Sequence, residues 1–263
     1  MKKIFIITLT SISMHSFAYF NYSNFQHFDN QVGFGMSAQQ GNFNTRDAAN
    51  HPNVYDMVAL NLEVEKLFDV GLWLDVNVSN LQTYTQTTAV NPLGAYPFIA
   101  TFNAKVGYNI AFTNFFSMTP YINFGKNANL TAFTGTTGGA TINQGVSKDF
   151  FYTPGVGLRF EFPINKYVEV FFDQMYAYNY DQSNIPLPDT KTIIIASNSQ
   201  WTSILGVKVD LWENLQLAAN VFYTNYNDYN QTSLAYLSST PADGFLGLPT
   251  TATGIQGSVG FTF

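Results

Sequence analysis

Alternation of apolar and polar residues with a period of two is the feature of this sequence that most restricts its fold. In residues 58–65, Val or Leu stands at every even position, and Ala, Asn or Glu stands at every odd position. Such alternation indicates a β-strand with one apolar and one polar face. The pattern recurs in ten segments, centred on residues 32–36, 58–64, 72–78, 98–106, 116–124, 152–160, 168–172, 205–209, 217–223 and 255–263. The sequence therefore predicts an all-β protein with ten antiparallel strands.

The connections between these segments alternate in length. We predict long connections at residues 42–53, 84–96, 126–149, 179–198 and 227–252, and short ones at 67–71, 111–115, 161–166 and 211–214. Transmembrane β-barrels show this alternation, with short turns on the periplasmic side and longer loops outside. An even number of strands places both chain ends in the periplasm. A soluble β-sandwich also has alternating strands, so the period alone does not separate the two architectures.

The placement of charge favours the transmembrane barrel. Only 11% of the residues are charged, whereas 17% are aromatic. Nearly every charge within a predicted strand lies on the polar face, and Asp56, at the loop end of its strand, is the exception. A Lys or Arg that faces lipid near the bilayer midplane costs about 2 to 4 kcal/mol. The apolar stripes are therefore expected to face lipid.

The first residues have the composition of an export signal. Lys2 and Lys3 precede an apolar run, and Ser16, Phe17 and Ala18 form a small-x-small cleavage triplet. We predict a cleaved signal peptide at residues 1–18, which directs export through the Sec pathway, and one barrel domain at residues 19–263. Cysteine is absent, so no disulfide is available. The net charge of −6 excludes a basic surface for nucleic acid.

The last ten residues, Gly-Ile-Gln-Gly-Ser-Val-Gly-Phe-Thr-Phe, carry apolar side chains at Ile255, Val259, Phe261 and Phe263. This segment resembles the closing strand of Gram-negative outer-membrane barrels, and the chain resembles the small monomeric barrels of the OmpA membrane-domain and opacity-protein kind. Those barrels have eight strands, so eight or twelve strands remain alternatives to ten. The resemblance implies an integral outer-membrane location among lipids and lipopolysaccharide. It also implies periplasmic chaperones and insertion by the barrel-assembly machinery, with Val259, Phe261 and Phe263 as the assembly signal.

Residues for catalysis or metal binding are scarce. An omptin-like protease would need a pair of aspartates and an Asp–His pair, but the mature chain has only His27, before the first strand, and His51, in the first long loop. A lipid hydrolase would need a histidine on the lipid-facing rim. No metal-ligand spacing occurs. We therefore expect no catalytic residues, no metal site and no cofactor.

The interior of the barrel is the remaining place for function. Nine charged residues are predicted to point inward and to form a belt in the periplasmic half: Glu63, Glu65, Asp75, Lys105, Arg159, Glu169, Asp173, Lys208 and Asp210. Such a belt is either a structural ion-pair network that fills a narrow barrel or a cation-leaning constriction.

These observations favour a non-enzymatic envelope element whose long loops contact a host, phage or neighbouring surface. A narrow, porin-like pore for small cationic solutes is the alternative function. An outer-membrane hydrolase is a third hypothesis.

Overall fold

A computed structural model describes the chain over residues 22–46, 52–86, 96–137, 140–187, 190–212, 214–233 and 249–263. The predicted signal peptide, at residues 1–18, lies outside these ranges. No helix in the described residues is long and apolar enough to cross a membrane.

The described chain consists of one short helix followed by eleven strand segments. The helix, α1, is Ser23–Asp29. The segments are β1 Gln31–Arg46, β2 Pro52–Leu67, β3 Leu72–Gln86, β4 Tyr96–Tyr108, β5 Ile110–Thr113, β6 Phe116–Thr137, β7 Ala140–Asn165, β8 Val168–Leu187, β9 Thr190–Trp212, β10 Leu215–Ser233 and β11 Pro249–Thr262.

The strands close into an antiparallel barrel with ten positions. Each strand pairs with its neighbours in sequence, and β1 pairs with β11, from Gln31 opposite Thr262 to Phe43 opposite Pro249. Both β4 and the short β5 pair with β6, so these two segments share one position. Asn109 separates them, and its side chain is fully buried. The predicted fold class and the predicted number of strands are therefore confirmed.

The two faces of the barrel differ as the alternation predicts. Large apolar side chains on the outside are widely exposed, including Phe34, Ile122 and Val156. Polar side chains occupy most inner positions of the same strands. Asp56, the outward exception, accepts a hydrogen bond from Gln40 on the neighbouring strand at 3.0 Å. A closed barrel leaves no free edge in the lipid, so every spanning backbone group can pair within the sheet.

Aromatic side chains gather on the outside near the short turns. The rings of Phe112 and Phe162 stack on either side of Phe116, with centroid distances of 5.4 and 5.1 Å. The Lys66 ammonium lies 4.7 Å from the ring centroid of Phe263. Amphipathic and aromatic side chains are favoured at the height of the lipid headgroups, which marks this end as one membrane interface.

Four neighbouring strands, β6 to β9, extend farther from the short turns than the sequence predicts. Residues 126–149 and 179–198, which we predicted to be long connections, are mainly paired strand in β6, β7, β8 and β9. The β6–β7 pairing continues to Thr137 opposite Ala140, and the β8–β9 pairing continues to Leu187 opposite Thr190. The loop prediction was therefore wrong in extent. Beyond the lipid neither face of a strand must be apolar, so the alternation of apolar and polar residues weakens in these segments. A segment with weak alternation resembles a loop in the sequence.

The outward apolar residues of the strands should contact lipid, and a charged substitution tests this orientation. We expect Ile122→Arg, at an outward position 63% exposed, to lower the free energy of unfolding in lipid vesicles by about 2 to 4 kcal/mol, because it places a cation at mid-membrane depth. Ile164→Arg is the matched control, since Ile164 is equally apolar and 61% exposed but lies at the short-turn end, where the cost is about 0 to 1 kcal/mol. Equal losses in urea titrations of the two variants would contradict this orientation.

Candidate functional site

The structure places all nine residues of the predicted charge belt on the inner face of the barrel. Seven of them are buried: Glu65, Asp75, Arg159, Glu169, Asp173, Lys208 and Asp210. Glu63 and Lys105 are partly buried and line the central cavity. The period of two therefore locates these side chains without any further information, because every second residue of a strand points to the same face.

Arg159 and Lys208 form the first charge cluster. The Arg159 guanidinium lies 3.0 Å from Glu65 and 2.6 Å from Glu161. The Lys208 ammonium lies 2.8 Å from Glu65 and 2.7 Å from Asp29. All of these side chains are almost completely buried. Charges removed from water need such close partners, because an unpaired buried ion carries a large desolvation penalty.

Lys105 forms the second charge cluster, next to the first, since Asp75 lies opposite Glu65 and Asp173 lies opposite Arg159 in the strand register. Its ammonium bridges Asp173 at 3.0 Å and Asp75 at 3.2 Å. The Tyr121 hydroxyl donates a short hydrogen bond to the other oxygen of Asp173. This cluster links β3, β4, β6 and β8 across the bore.

Three inward aromatic rings fill the space between the charges. The Arg159 guanidinium carbon lies 4.5 Å from the ring centroid of Phe171 and 5.3 Å from that of Trp73. The Lys105 ammonium lies 5.3 Å from the Tyr121 centroid. A cation over an aromatic face gains about 0.5 to 2 kcal/mol, with the larger values where water is excluded.

Two inward glycines make room for these rings. A Cβ at Gly157 would collide with the Tyr121 ring, and a Cβ at Gly206 would collide with the Phe171 ring. The rings can therefore lie flat against the barrel wall. Any larger residue at either position would push an aromatic ring into the bore.

Helix α1 closes the bore at the short-turn end. Phe25 and Phe28 are buried, and Phe25 packs in one cluster with Leu67, Trp73 and Tyr22. A fully buried Asp29 ends the helix and pairs with Lys208.

Polar contacts fasten the helix to the barrel rim at several points. The Gln26 amide donates to Asp69 at 2.7 Å, and the Asn30 side chain accepts from the Leu67 backbone N–H at 2.9 Å. His27 lies 2.5 Å from Asp210. The position of His27 before the first strand agrees with the sequence prediction, but the alternation pattern gave no sign of the helix.

Two charged residues of the site were also missed. Glu161 is fully buried and pairs with Arg159. It stands two residues after Arg159, so continuing the alternation by one step would have placed it inside. Asp29 precedes the first alternating segment, and no period assigns it to the interior. Only its contacts in the folded chain identify it.

The described interior carries more negative than positive charge. Eight carboxylates face inward, against three side chains with a permanent positive charge. The carboxylates are Asp29, Glu63, Glu65, Asp75, Glu161, Glu169, Asp173 and Asp210, and the cations are Lys105, Arg159 and Lys208. Glu169 is fully buried, and neither of its oxygens has a hydrogen-bond donor among the described residues.

One group of carboxylates is compact enough to hold a metal ion. Oxygens of Asp29, Glu65 and Glu161 lie within 4.8 Å of one another. These three side chains are, however, the same ones that surround Arg159 and Lys208. Attraction to Arg159 and Lys208 explains why these carboxylates lie so close together, so their geometry does not require a metal ion.

A cavity of about 360 Å³ occupies the bore on the loop side of the charge clusters. Its charged lining residues are Glu63, Asp75, Asp173, Lys105, Arg159 and Lys208, so the cavity reaches both charge clusters. The wall above them is built mainly from neutral amide and hydroxyl side chains. The bore thus has three layers in sequence, namely the helix, the charge clusters with their aromatic rings, and an open polar cavity.

Of the predicted assembly-signal residues, Val259 and Phe261 lie on the outside of β11, and Phe263 follows the last residue of this strand. Val259, Phe261 and Phe263 are 44%, 65% and 65% exposed. Their strand pairs with both β1 and β10, so it is the last strand needed to close the barrel. Recognition of these side chains by the barrel-assembly machinery stays a prediction.

Comparison with known proteins supports the fold. No protein-family model and no curated protein matches the chain. Among solved structures, the translocator domain of the autotransporter NalP from Neisseria meningitidis has a TM-score of 0.50 at 9% identity, over 100% of this chain and 97% of that one. The outer-membrane protease OmpT from Escherichia coli has a TM-score of 0.49 at 6% identity, over 89% and 97%. Neisserial surface protein A has a TM-score of 0.40 at 8% identity, over 88% and 97%.

The similarity to the NalP domain, together with the closed sheet, shows that the chain has the fold of bacterial outer-membrane β-barrels. The apolar outer surface of the barrel fits a lipid bilayer. The protein is therefore integral to the outer membrane, as the sequence predicts. Identities this low establish the fold and do not transfer an activity.

The first charge cluster generates a second stability prediction. We expect Arg159→Met to lower the free energy of unfolding by about 3 to 5 kcal/mol, because Glu65 and Glu161 lose a buried partner. Lys166→Met is the matched control, since Lys166 lies on an exposed turn, where charge contributes about 0 to 1 kcal/mol. Urea titration in vesicles measures both. An Arg159→Met protein as stable as the control would show that the interior is hydrated and the ion pairs are screened.

Proposed function

We propose that the protein is a non-enzymatic element of the outer membrane, in which a barrel closed to solutes anchors an extracellular β-sheet that contacts other surfaces. The layered closure of the bore is the observation that carries the proposal. A channel needs a continuous wet path, whereas helix α1 and the charge clusters bury Phe25, Trp73 and Glu65 completely at the short-turn end. Inward side chains commonly fill narrow barrels in this way.

The tall wall of the barrel supports a role in surface contact. A strand needs about 9 to 11 residues to span a bilayer, but β6, β7, β8 and β9 have 22, 26, 20 and 23 residues. Pairing between β7 and β8 reaches Lys148 opposite Asn184. The four strands therefore form one continuous sheet that rises beyond the lipid. A rigid paired sheet presents a surface with less loss of conformational entropy on binding than a flexible loop does.

A second candidate function is a narrow pore for small cations. The excess of inward carboxylates favours it, because rings of carboxylates attract cations. In this function, helix α1 would be the part that opens. Hydrogen bonds between polar groups hold the helix to the rim. Among the described residues, Lys208 is the only buried cation that lies within 3.0 Å of a helix side chain, that of Asp29.

Conductance separates the two functions. In planar bilayers, we expect the refolded mature protein to show no steady ohmic current, because its bore is closed. A variant that lacks residues 22–29 should conduct and should prefer cations, since the removal of α1 exposes the surplus carboxylates to water. Arg159 and Lys208 then keep only strand partners. Steady cation-selective current through the intact protein would overturn the closed barrel and support the pore.

The extracellular sheet has its own test. Replacement of residues 131–147 by an Asn-Gly turn joins Leu130 to Lys148, which are directly opposite in the register, and Asn-Gly suits a two-residue hairpin. We expect the shortened barrel to remain inserted and heat-modifiable, while adherence of cells that display it to host cells falls several-fold. Replacement of residues 47–51 by the same turn is the control, because it leaves β6–β9 intact. Unchanged adherence in the first variant would argue against surface contact through this sheet.

A further inference from the structure

We infer that the outer half of the bore is a dead-end binding site for small organic cations that carry two or more separated ammonium groups. The site is the 360 Å³ cavity above the charge clusters. The inference goes beyond the proposed function, since a closed barrel and an adhesive sheet need no ligand in the bore.

Glu63 supplies the first observation. It lines the cavity, and within the described chain its carboxylate makes neither an ion pair nor a hydrogen bond. In the strand register, Glu63 lies opposite Asn77, and Asn77 lies opposite Asn103. On its other side Glu63 lies opposite Gly33, so its directly paired neighbours are uncharged. Lys105 and Lys208 act on it electrostatically from beyond ion-pair distance, and neither is bonded to it, so the carboxylate can still accept a bound cation.

Unpaired acceptors in the cavity wall supply a second, independent observation. Asn123 and Thr153 line the cavity and are 95% or more buried, at 5% and 3% exposure. Their side-chain oxygens have no hydrogen-bond partner among the described residues. The Asn123 amide already donates to the Thr153 carbonyl at 2.9 Å, so the amide oxygen is the end left over. Buried polar atoms are nearly always paired, and unpaired acceptors call for a ligand rich in N–H donors.

Asp75 adds a further acceptor near the floor. One of its oxygens binds Lys105 at 3.2 Å, and the other has no partner in the described structure. In the register, Asp75 lies opposite Lys105, and Lys105 lies opposite Asn123. Residues that lie opposite one another on neighbouring strands form rows around the barrel wall, and these acceptors belong to two adjacent rows. Glu63 is in the row nearer the loop side, and Asp75 and Asn123 are in the row nearer the short turns.

The spacing of these acceptors favours an organic cation over a metal ion. Within the described residues, the only carboxylate group tight enough for a metal is Asp29, Glu65 and Glu161, and it lies below the cavity with its own cations. Glu63, Asp75 and Asp173 do not form such a group. Acceptors that are spread along a wall suit ammonium groups spread along a flexible chain. Phe222 and Tyr226 also line the cavity, and aromatic rings attract such cations.

The closed floor decides how the ligand moves. Helix α1 and the first charge cluster bury Phe25, Glu65 and Glu161 completely, so a ligand enters and leaves only from the loop side. The cavity therefore acts as a receptor cup and does not pass its ligand through the membrane.

Spermidine binding to the refolded mature protein in detergent micelles tests the inference. Isothermal titration calorimetry at low salt should give saturable binding. We expect Glu63→Gln to weaken it about tenfold, because the substitution removes the Coulomb attraction between the carboxylate and a bound ammonium group. Asp69→Asn is the matched control, since it removes the same charge from an exposed turn at the closed end and should leave binding unchanged. The dimethyl ether of triethylene glycol, a neutral chain with hydrogen-bond acceptors only, should not bind.

A second variant keeps the test decisive if Glu63→Gln alters folding. Asn103→Lys places a cation in the row of Glu63 and should abolish spermidine binding in a protein that remains heat-modifiable. Absence of saturable binding to the unaltered protein would overturn the inference, and so would equal affinities for the Glu63→Gln and Asp69→Asn proteins. Tighter binding of Mg²⁺ than of spermidine would overturn it in favour of a metal site. None of these outcomes depends on conductance or adherence, so a negative binding result would contradict this inference without contradicting the proposed function.

Discussion

The pairing of Arg159 and Lys208 with buried carboxylates is the interaction on which the rest of the interior depends. Asp29 comes from the helix, Glu65 from β2 and Glu161 from β7, so these two cations connect elements that are far apart in sequence. A buried ion pair contributes little net stability compared with an apolar core of the same volume, because both charges lose water. Its members are nevertheless interdependent, since the loss of one leaves the others unpaired. The network therefore acts mainly to specify one arrangement of the interior.

The helix follows from this network. Helix α1 has only seven residues, too few for an independent helix in water. Its conformation is stabilised by Phe25 and Phe28 packed in the bore and by Asp29 against Lys208. Where the helix ends, the chain enters β1 at Gln31, whose side chain donates to Glu65 at 3.0 Å. The same carboxylate thus orients Lys208, Arg159 and the start of the first strand.

Closure at one end gives the bore two different environments. The side chains of the first charge cluster are almost completely buried, and the rings of Trp73 and Phe171 pack against the Arg159 guanidinium. Beyond Lys105 the cavity wall is mainly polar, with Glu63 as its charged residue and with unpaired side-chain oxygens on Asn123 and Thr153. A single barrel therefore combines a sealed base, a cup that suits cations, and a sheet that extends from one wall.

Sequence alone determined the ten strands, their order and the side of the barrel that each strand residue faces, because alternation in a strand has a strict period of two and lipid tolerates no charge on the outward stripe. It also placed Arg159 and Lys208 inside. Only the tertiary structure decided which carboxylate each cation meets, since cross-bore partners come from strands that are not neighbours. It likewise decided that residues 126–149 are largely strand and that Asp29 lies in the bore. Outside the membrane the outward stripe is no longer required, and before the first strand no period exists, so the local sequence carries no signal for either feature.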